Sequence, residues 1–334
     1  MPQRSKIVVV VVVVAALVAC AGGILWWWVA RPPEAVRLLP EPDAVVYVNL
    51  RPVRLASAFA HLPQVQHDAD YDDFVRATGF DFERDLDEAG IAVHLGAAAG
   101  PAANSAANAA ARETRYSEVF VGRFDRAALE RYFQKLASAK ETYAGATVFT
   151  VPVEGRTLRL AVLSKNLAVV SNVEDASVIR GMIDRGHEKE VYASGPEIVS
   201  GFYKEVPTGS LAWVIARSKR NLPLPDGLEL AVPEGVTWVG SLRYAGGMEL
   251  KAQAIALNEA DAKQIADSLN TLLALFRSVQ DSVKAQGTDA DVKHTFDSVQ
   301  VAQQDNRAVV TASVPVGFLE KMAVRREPDG TSAK

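Results

Sequence analysis

The chain has 334 residues, a mass of 35.9 kDa and a formal charge of -4. That mild balance argues against a nucleic-acid surface, which needs a basic stripe. A lone cysteine, Cys20, excludes any intramolecular disulfide.

The first element is an unbroken apolar run, Ile7 to Ala30, with an almost pure valine stretch from Val8 to Val14. A helix of that length reaches roughly 36 Å, against about 30 Å for a bilayer's hydrocarbon core. Residues 1–30 are therefore expected to form a cytoplasmic N-terminus and a transmembrane anchor. Arg4 and Lys6 precede the run, so the body is expected on the far side of the membrane. Trp26, Trp27 and Trp28 fit an interfacial belt, and Arg31 with Pro32 and Pro33 stops the helix. A second reading stays open. Leu17-Val18-Ala19-Cys20 has the form of a lipobox, which would make Cys20 the lipidated start of a lipoprotein. Against it, Ala21 to Ala30 continues apolar where lipoproteins turn polar. Ala15, Ala19 and Gly23 form a ladder of small residues suited to packing against another membrane helix.

Residues 31–42 are Pro-rich and read as a stalk. Apolar stretches with strand character follow at Ala44 to Leu50, Gly90 to Leu95 and Tyr116 to Phe124, with a short helical stretch at Asp72 to Thr78. Between the last two strands, residues 96–112 are Ala-, Gly- and Asn-rich without periodicity and read as a disordered loop. A helix starts after Asp125 as N-cap. Strands are expected at Thr147 to Val153, Thr157 to Leu163 and Leu167 to Ser171, then a helix from about Val173 to Arg185.

A second half, 191–324, repeats the plan of the first, 43–190. A helix at Gly195 to Lys204 leads to strands at Ser210 to Arg217, Val236 to Tyr244 and Met248 to Leu257. The longest helix is expected from Glu259 to about Ala285, capped by Asn258, with a buried stripe at Ile265, Leu269, Leu272, Phe276, Val279 and Val283. Strands at Lys293 to Gln303 and Arg307 to Ser313 and a helix at Val316 to Met322 end the fold, and 325–334 reads as a disordered tail. The fold class is thus α+β: an N-terminal transmembrane helix followed by two similar halves of antiparallel sheet plus helix.

Leu38-Leu39-Pro40, the stretch Pro42-Asp43-Ala44-Val45-Val46-Tyr47-Val48, and Thr78-Gly79-Phe80-Asp81 with Asp85-Leu86 resemble the openings of strands in a group of bacterial envelope proteins of unknown function. The resemblance covers residues 37–322 in layout. It implies a membrane anchor and duplicated α+β halves, and brings no catalytic residues with it.

The search for chemistry is lean. Asp68, Asp70 and Asp72 match the start of a calcium loop, but Asp73 stands where glycine is needed and Gly79 where the bidentate glutamate belongs. Helix capping accounts for the same acids. The five histidines are scattered, and no P-loop, nucleophile elbow or dinucleotide fingerprint is present. The expectation is a non-catalytic protein of the bacterial cell envelope without cofactors. It is single-pass in the inner membrane, its body is periplasmic, and it binds a partner protein or an envelope component. An accessory subunit of a larger integral-membrane complex and a hydrolase with a dispersed active site are the alternatives.

Overall fold

The computed structural model describes residues 31–55, 67–95, 114–153, 155–187, 195–218, 222–223, 229–283, 294–295, 297–315 and 317. Their backbone builds one 12-stranded antiparallel sheet and a separate two-stranded ribbon. The strands are β1 (Ala44–Asn49), β2 (Leu86–His94), β3 (Arg115–Gly122), β4 (Ala139–Tyr143), β5 (Ala146–Val153), β6 (Arg156–Ser164), β7 (Leu167–Ser171) and β8 (Ser210–Arg217). After them come the ribbon β9 (Leu222–Pro223) and β10 (Glu229–Leu230), then β11 (Thr237–Tyr244), β12 (Met248–Ile255), β13 (Gln300–Gln304) and β14 (Arg307–Val314). The order across the main sheet is β13-β14-β12-β11-β8-β1-β2-β3-β7-β6-β5-β4. The two halves read in the sequence are therefore fused at the middle of one sheet, where β1 pairs with β8 in the register Val45↔Ile215.

The helices are α1 (Glu34–Arg37), α2 (Arg51–Leu55), α3 (Ala69–Thr78), α4 (Phe82–Asp85), α5 (Arg126–Leu136), α6 (Ala176–His187), α7 (Glu197–Phe202) with a 3-10 turn at Tyr203–Glu205, and α8 (Glu259–Val283). Because side chains alternate along each strand, the register sorts the sheet into two faces. One face carries Val45, Ala92, Ser117, Ile215 and Val239, and packs against α1, α6 and α7 through Val36, Ile179, Met182, Ile183 and Ile198. The other face carries Phe120, Ala168, Leu160 and Ala254. Helices α3 to α5 cover it over the first half and α8 over the second.

The stalk expected over 31–42 is corrected by this packing. Ala35, Val36 and Leu39 are among the most buried residues of the molecule. The backbone of α1 lies against β2 at Gly90, where an added Cβ would meet the Ala35 carbonyl oxygen at 2.5 Å. Arg185 Nε donates to the Leu38 carbonyl at 3.0 Å and ties α6 to the same segment. Prolines on either side give an extended entry and exit, but the apolar side chains between them dock in the core.

Elsewhere the differences are smaller. The helix read from Asp72 begins at Ala69, because Asp68 is the N-cap and accepts from Tyr71 N at 2.8 Å. Strand β4 was not expected; it is an edge strand of largely exposed, charged residues, so no apolar alternation announces it. The stripe of α8 is buried at Ile265, becomes half-buried at Leu269 and Leu272, and Leu275 beside it is 50% exposed. The side chains of Phe276, Val279 and Val283, the loop 96–112 and the tail 325–334 lie outside the described residues. Among the described residues no helix is long and apolar enough to cross a membrane; the run Ile7 to Ala30 is not among them.

Candidate apolar ligand pocket

Seven aromatic residues of the first half converge on one place. Tyr71 and Phe74 come from α3, Phe80 and Phe82 from the turn into α4, Phe120 from β3, Phe124 from the strand-to-helix junction and Phe133 from α5. Local structure aims each of them. Gly79, with φ of 71°, ends α3 in a left-handed turn, and its N–H reaches the Val75 carbonyl. Asp81 caps α4 through Glu83 N and Arg84 N. Asp125 caps α5 through Ala128 N at 3.0 Å. One capped helix end and two capped helix starts hold the rings over the sheet.

The rings form a continuous set. Phe80 lies 4.9 Å from Phe124 and 5.1 Å from Phe82 between centroids, and Phe82 stacks with Phe74 at 6.0 Å and Tyr71 at 5.8 Å. They enclose, with Leu158, Leu160 and Val170 of the sheet, a cavity of about 340 Å³. Small-molecule sites range over about 300–1,000 Å³. The cavity reaches solvent beside Phe82, which is 36% exposed, and half-buried Tyr71.

One ionisable group enters this lining from the sheet. Glu118 stands on β3 two positions before Phe120 and so shares its face. Its strand partners are Ile91 and Val170, both apolar. Burial alone pushes its carboxyl above the usual glutamate range.

A second concavity of about 540 Å³ lies on the opposite face, lined by Arg31, Tyr47, Glu88, Tyr203 and Trp213. Tyr47 stacks on Trp213 at 5.4 Å, and Tyr203 lies 5.6 Å from the same indole. Glu88 is pushed up by burial, but the Tyr47 hydroxyl donates to it, and Arg51 and Arg37 act to lower it. Its carboxyl is thus engaged from within the fold, unlike that of Glu118.

Among the described residues singled out in the sequence, Arg31 lines the second cavity and Asp68, Asp70 and Asp72 line neither. Asp68 serves as a cap. Asp70 and Asp72 lie exposed in the first turn of α3, where they face its positive end. Among the described residues no group of three or more His, Cys, Asp or Glu side chains is placed to hold a metal ion. His67 stacks on Tyr71 at 3.9 Å. His94 Nε2 lies 3.2 Å from the Ser117 hydroxyl, which meets Ser171 at 3.0 Å, but Ser117 is wholly buried and out of a substrate's reach. Cys20 and Trp26, Trp27 and Trp28 lie outside the described residues. The aromatic pocket itself was missed in the sequence. Its signal is the spacing of Tyr71, Phe74, Phe80 and Phe82, four rings within one short polar stretch beside the acidic residues.

No family model matches the chain, and a search of curated proteins finds no match. Distant structural neighbours are crystal structures of TP0453. Crystal form III aligns with a TM-score of 0.46 at 10% identity, over 88% of this chain and 99% of that one. Crystal form I aligns with a TM-score of 0.45 at 12% identity, over 88% and 98%. No family is assigned by these likenesses, and the resemblance to bacterial envelope proteins stays one of layout.

Proposed function

We propose that this chain is a non-catalytic binding protein of the bacterial cell envelope, tethered to the inner membrane by Ile7 to Ala30, with its body outside the cytosol. The observation that carries the binding role is the phenylalanine-walled cavity under α3 to α5, which is sized for a small apolar ligand or the apolar end of a larger one. The tether rests on the length and apolarity of the run and on Arg4 and Lys6 before it. Duplication of the body is part of the same reading. In the first half β1, β2 and β3 lie side by side, α5 follows, and the last strand returns to the far side of β3 as β7. In the second half β8, β11 and β12 lie side by side, α8 follows, and β14 returns to the far side of β12. That parallel supports an ancestral repeat.

The test uses the full chain in lipid discs, titrated with the uncharged fluorophore N-phenylnaphthylamine. A saturable rise in emission, absent from empty discs and from Ala168→Trp, is expected. Emission that never exceeds the empty-disc level overturns the binding role. Mass spectrometry of the native N-terminus tests the tether: a chain starting at Met1 supports the spanning helix, and a diacylglyceryl Cys20 start replaces it with a lipid anchor.

A further inference from the structure

The pocket has a polarity that the phenylalanines do not explain. Glu118 lines it, yet its neighbours across the sheet are Ile91 and Val170, and among the described residues no hydrogen bond or ion pair engages its carboxyl. Glu118 is half-buried, and other shielded acids of the first half are occupied. Asp85, on the far side of α4, takes Arg84 at 2.6 Å and Arg123 at 3.3 Å, and Asp87 takes Arg51 at 2.9 Å together with Arg54. A carboxylate partly shielded from water without a partner is costly, and a ligand that supplies the partner offsets that cost.

The chemistry of the missing partner can be narrowed. A carboxylate or phosphate head would face Glu118 as a like charge. A hydroxyl would make one neutral-to-charged hydrogen bond. An ammonium would make a charge-assisted bond, roughly twice as strong as a neutral one, and the adjacent ring of Phe120 would add a face for the cation. The rings then take the rest of the molecule. We propose that Glu118 makes this cavity a receptor for an amphiphile with an apolar body and an ammonium head, the body seated among Phe74, Phe80 and Phe124 and the head against the carboxylate. The inference rests on the binding role proposed above and adds the class of ligand.

The experiment separates the two claims. Hexylamine, hexanol and hexanoate share a body and differ in the head. Each is titrated calorimetrically into the full chain in lipid discs, with empty discs subtracted, for the wild type and for Glu118→Gln, which keeps the volume and removes the charge. Hexylamine is expected to bind the wild type about tenfold more tightly than hexanol, a difference of about 1.4 kcal/mol, with hexanoate weakest. In Glu118→Gln the amine falls to the level of the alcohol. Equal binding of amine and alcohol to the wild type, or an amine preference that survives Glu118→Gln, overturns the ammonium assignment and leaves the apolar pocket standing. Binding of none of the three overturns both. If Glu118→Gln does not fold, the wild-type ranking decides alone: an amine not ahead of the alcohol sinks the assignment.

Discussion

Two helix-covered patches share one face of the sheet, and they are built from side chains of opposite size. Under α8 most buried contacts are Ala262 and Ala266 against Ala254, Ala256 and Ala308, with Val236 and Ile265 the larger buried residues and Trp238 and Leu269 packed at the margin. Under α3 to α5 they are Phe80, Phe124, Leu129 and Phe149, ringed by further phenylalanines. Alanine on alanine lets a helix settle directly on strands. Planar rings stand off the sheet and meet at angles, as in the 76° between Phe80 and Phe82, so space remains between them. The same architectural position thus becomes a closed seam in one half and a cavity in the other. The difference lies in residue volume and not in topology.

Six substitutions break or sharpen that contrast, beginning with the largest effect. Phe80→Ala removes a ring that is 4% exposed, and should lower stability by about 3–5 kcal/mol, read from the shift in urea midpoint. Next, enlarging an alanine should cost more in the seam than in the cavity. Ala266→Leu has no room beneath α8 and should cost about 1–3 kcal/mol. Ala168→Leu projects into the cavity and should cost less than about 1.5 kcal/mol while abolishing N-phenylnaphthylamine binding. Equal costs at the two sites would remove the volume argument.

The caps provide a control of smaller size. Asp125 caps α5 through Ala128 N at 3.0 Å, and Asn258 caps α8 through Asp261 N at 2.9 Å. Asp125→Ala and Asn258→Ala should each cost about 1 kcal/mol in thermal denaturation, the same in both patches. A large disparity would trace the contrast to the helix ends instead of the cores.

The smallest effect is expected at Glu118, and it changes with pH. Burial raises its folded pKa above the unfolded one, so between those two values the native state holds more protons and stability falls as pH rises. The favourable, protonated state is complete below the ordinary glutamate range and is lost as pH passes the raised value. Glu118→Gln should therefore be more stable than the wild type near neutral pH, with the gain vanishing in acid. Tyr71, the other titratable group of the lining, is pushed upward by burial and stays neutral throughout that window. Urea midpoints for both proteins at the two ends of the range check it.

Much of the fold could be read from local pattern. Strands at Leu167–Ser171 and Ser210–Arg217 fall where the apolar alternation places them, and Asp125 and Asn258 cap where they are expected. These depend on neighbours in the chain. What escaped depends on distant contacts. Nothing in Ala44 to Asn49 tells that β1 will pair with β8, or that Ala35 and Val36 between prolines will be drawn into the core. The pocket escaped for the same reason. Phe80, Phe120, Phe124 and Phe133 are spread along the chain, and only the sheet brings them within one cavity. An isolated buried acid such as Glu118 reads in sequence as any solvated position of a strand.

The pairing of β1 with both β2 and β8 also has a consequence during synthesis. Ala44 meets Ala216, so the outer edge of β1 waits through production of every strand up to β8. Until then a nascent chain presents an open row of backbone donors and acceptors beside Val45 and Tyr47, the pattern that invites mispairing with other chains. Such remote pairings also slow productive folding, since the long intervening segment must be ordered before the contact rewards it. The two halves of the body should therefore join only after β8 is made, and the sheet should mature as one unit.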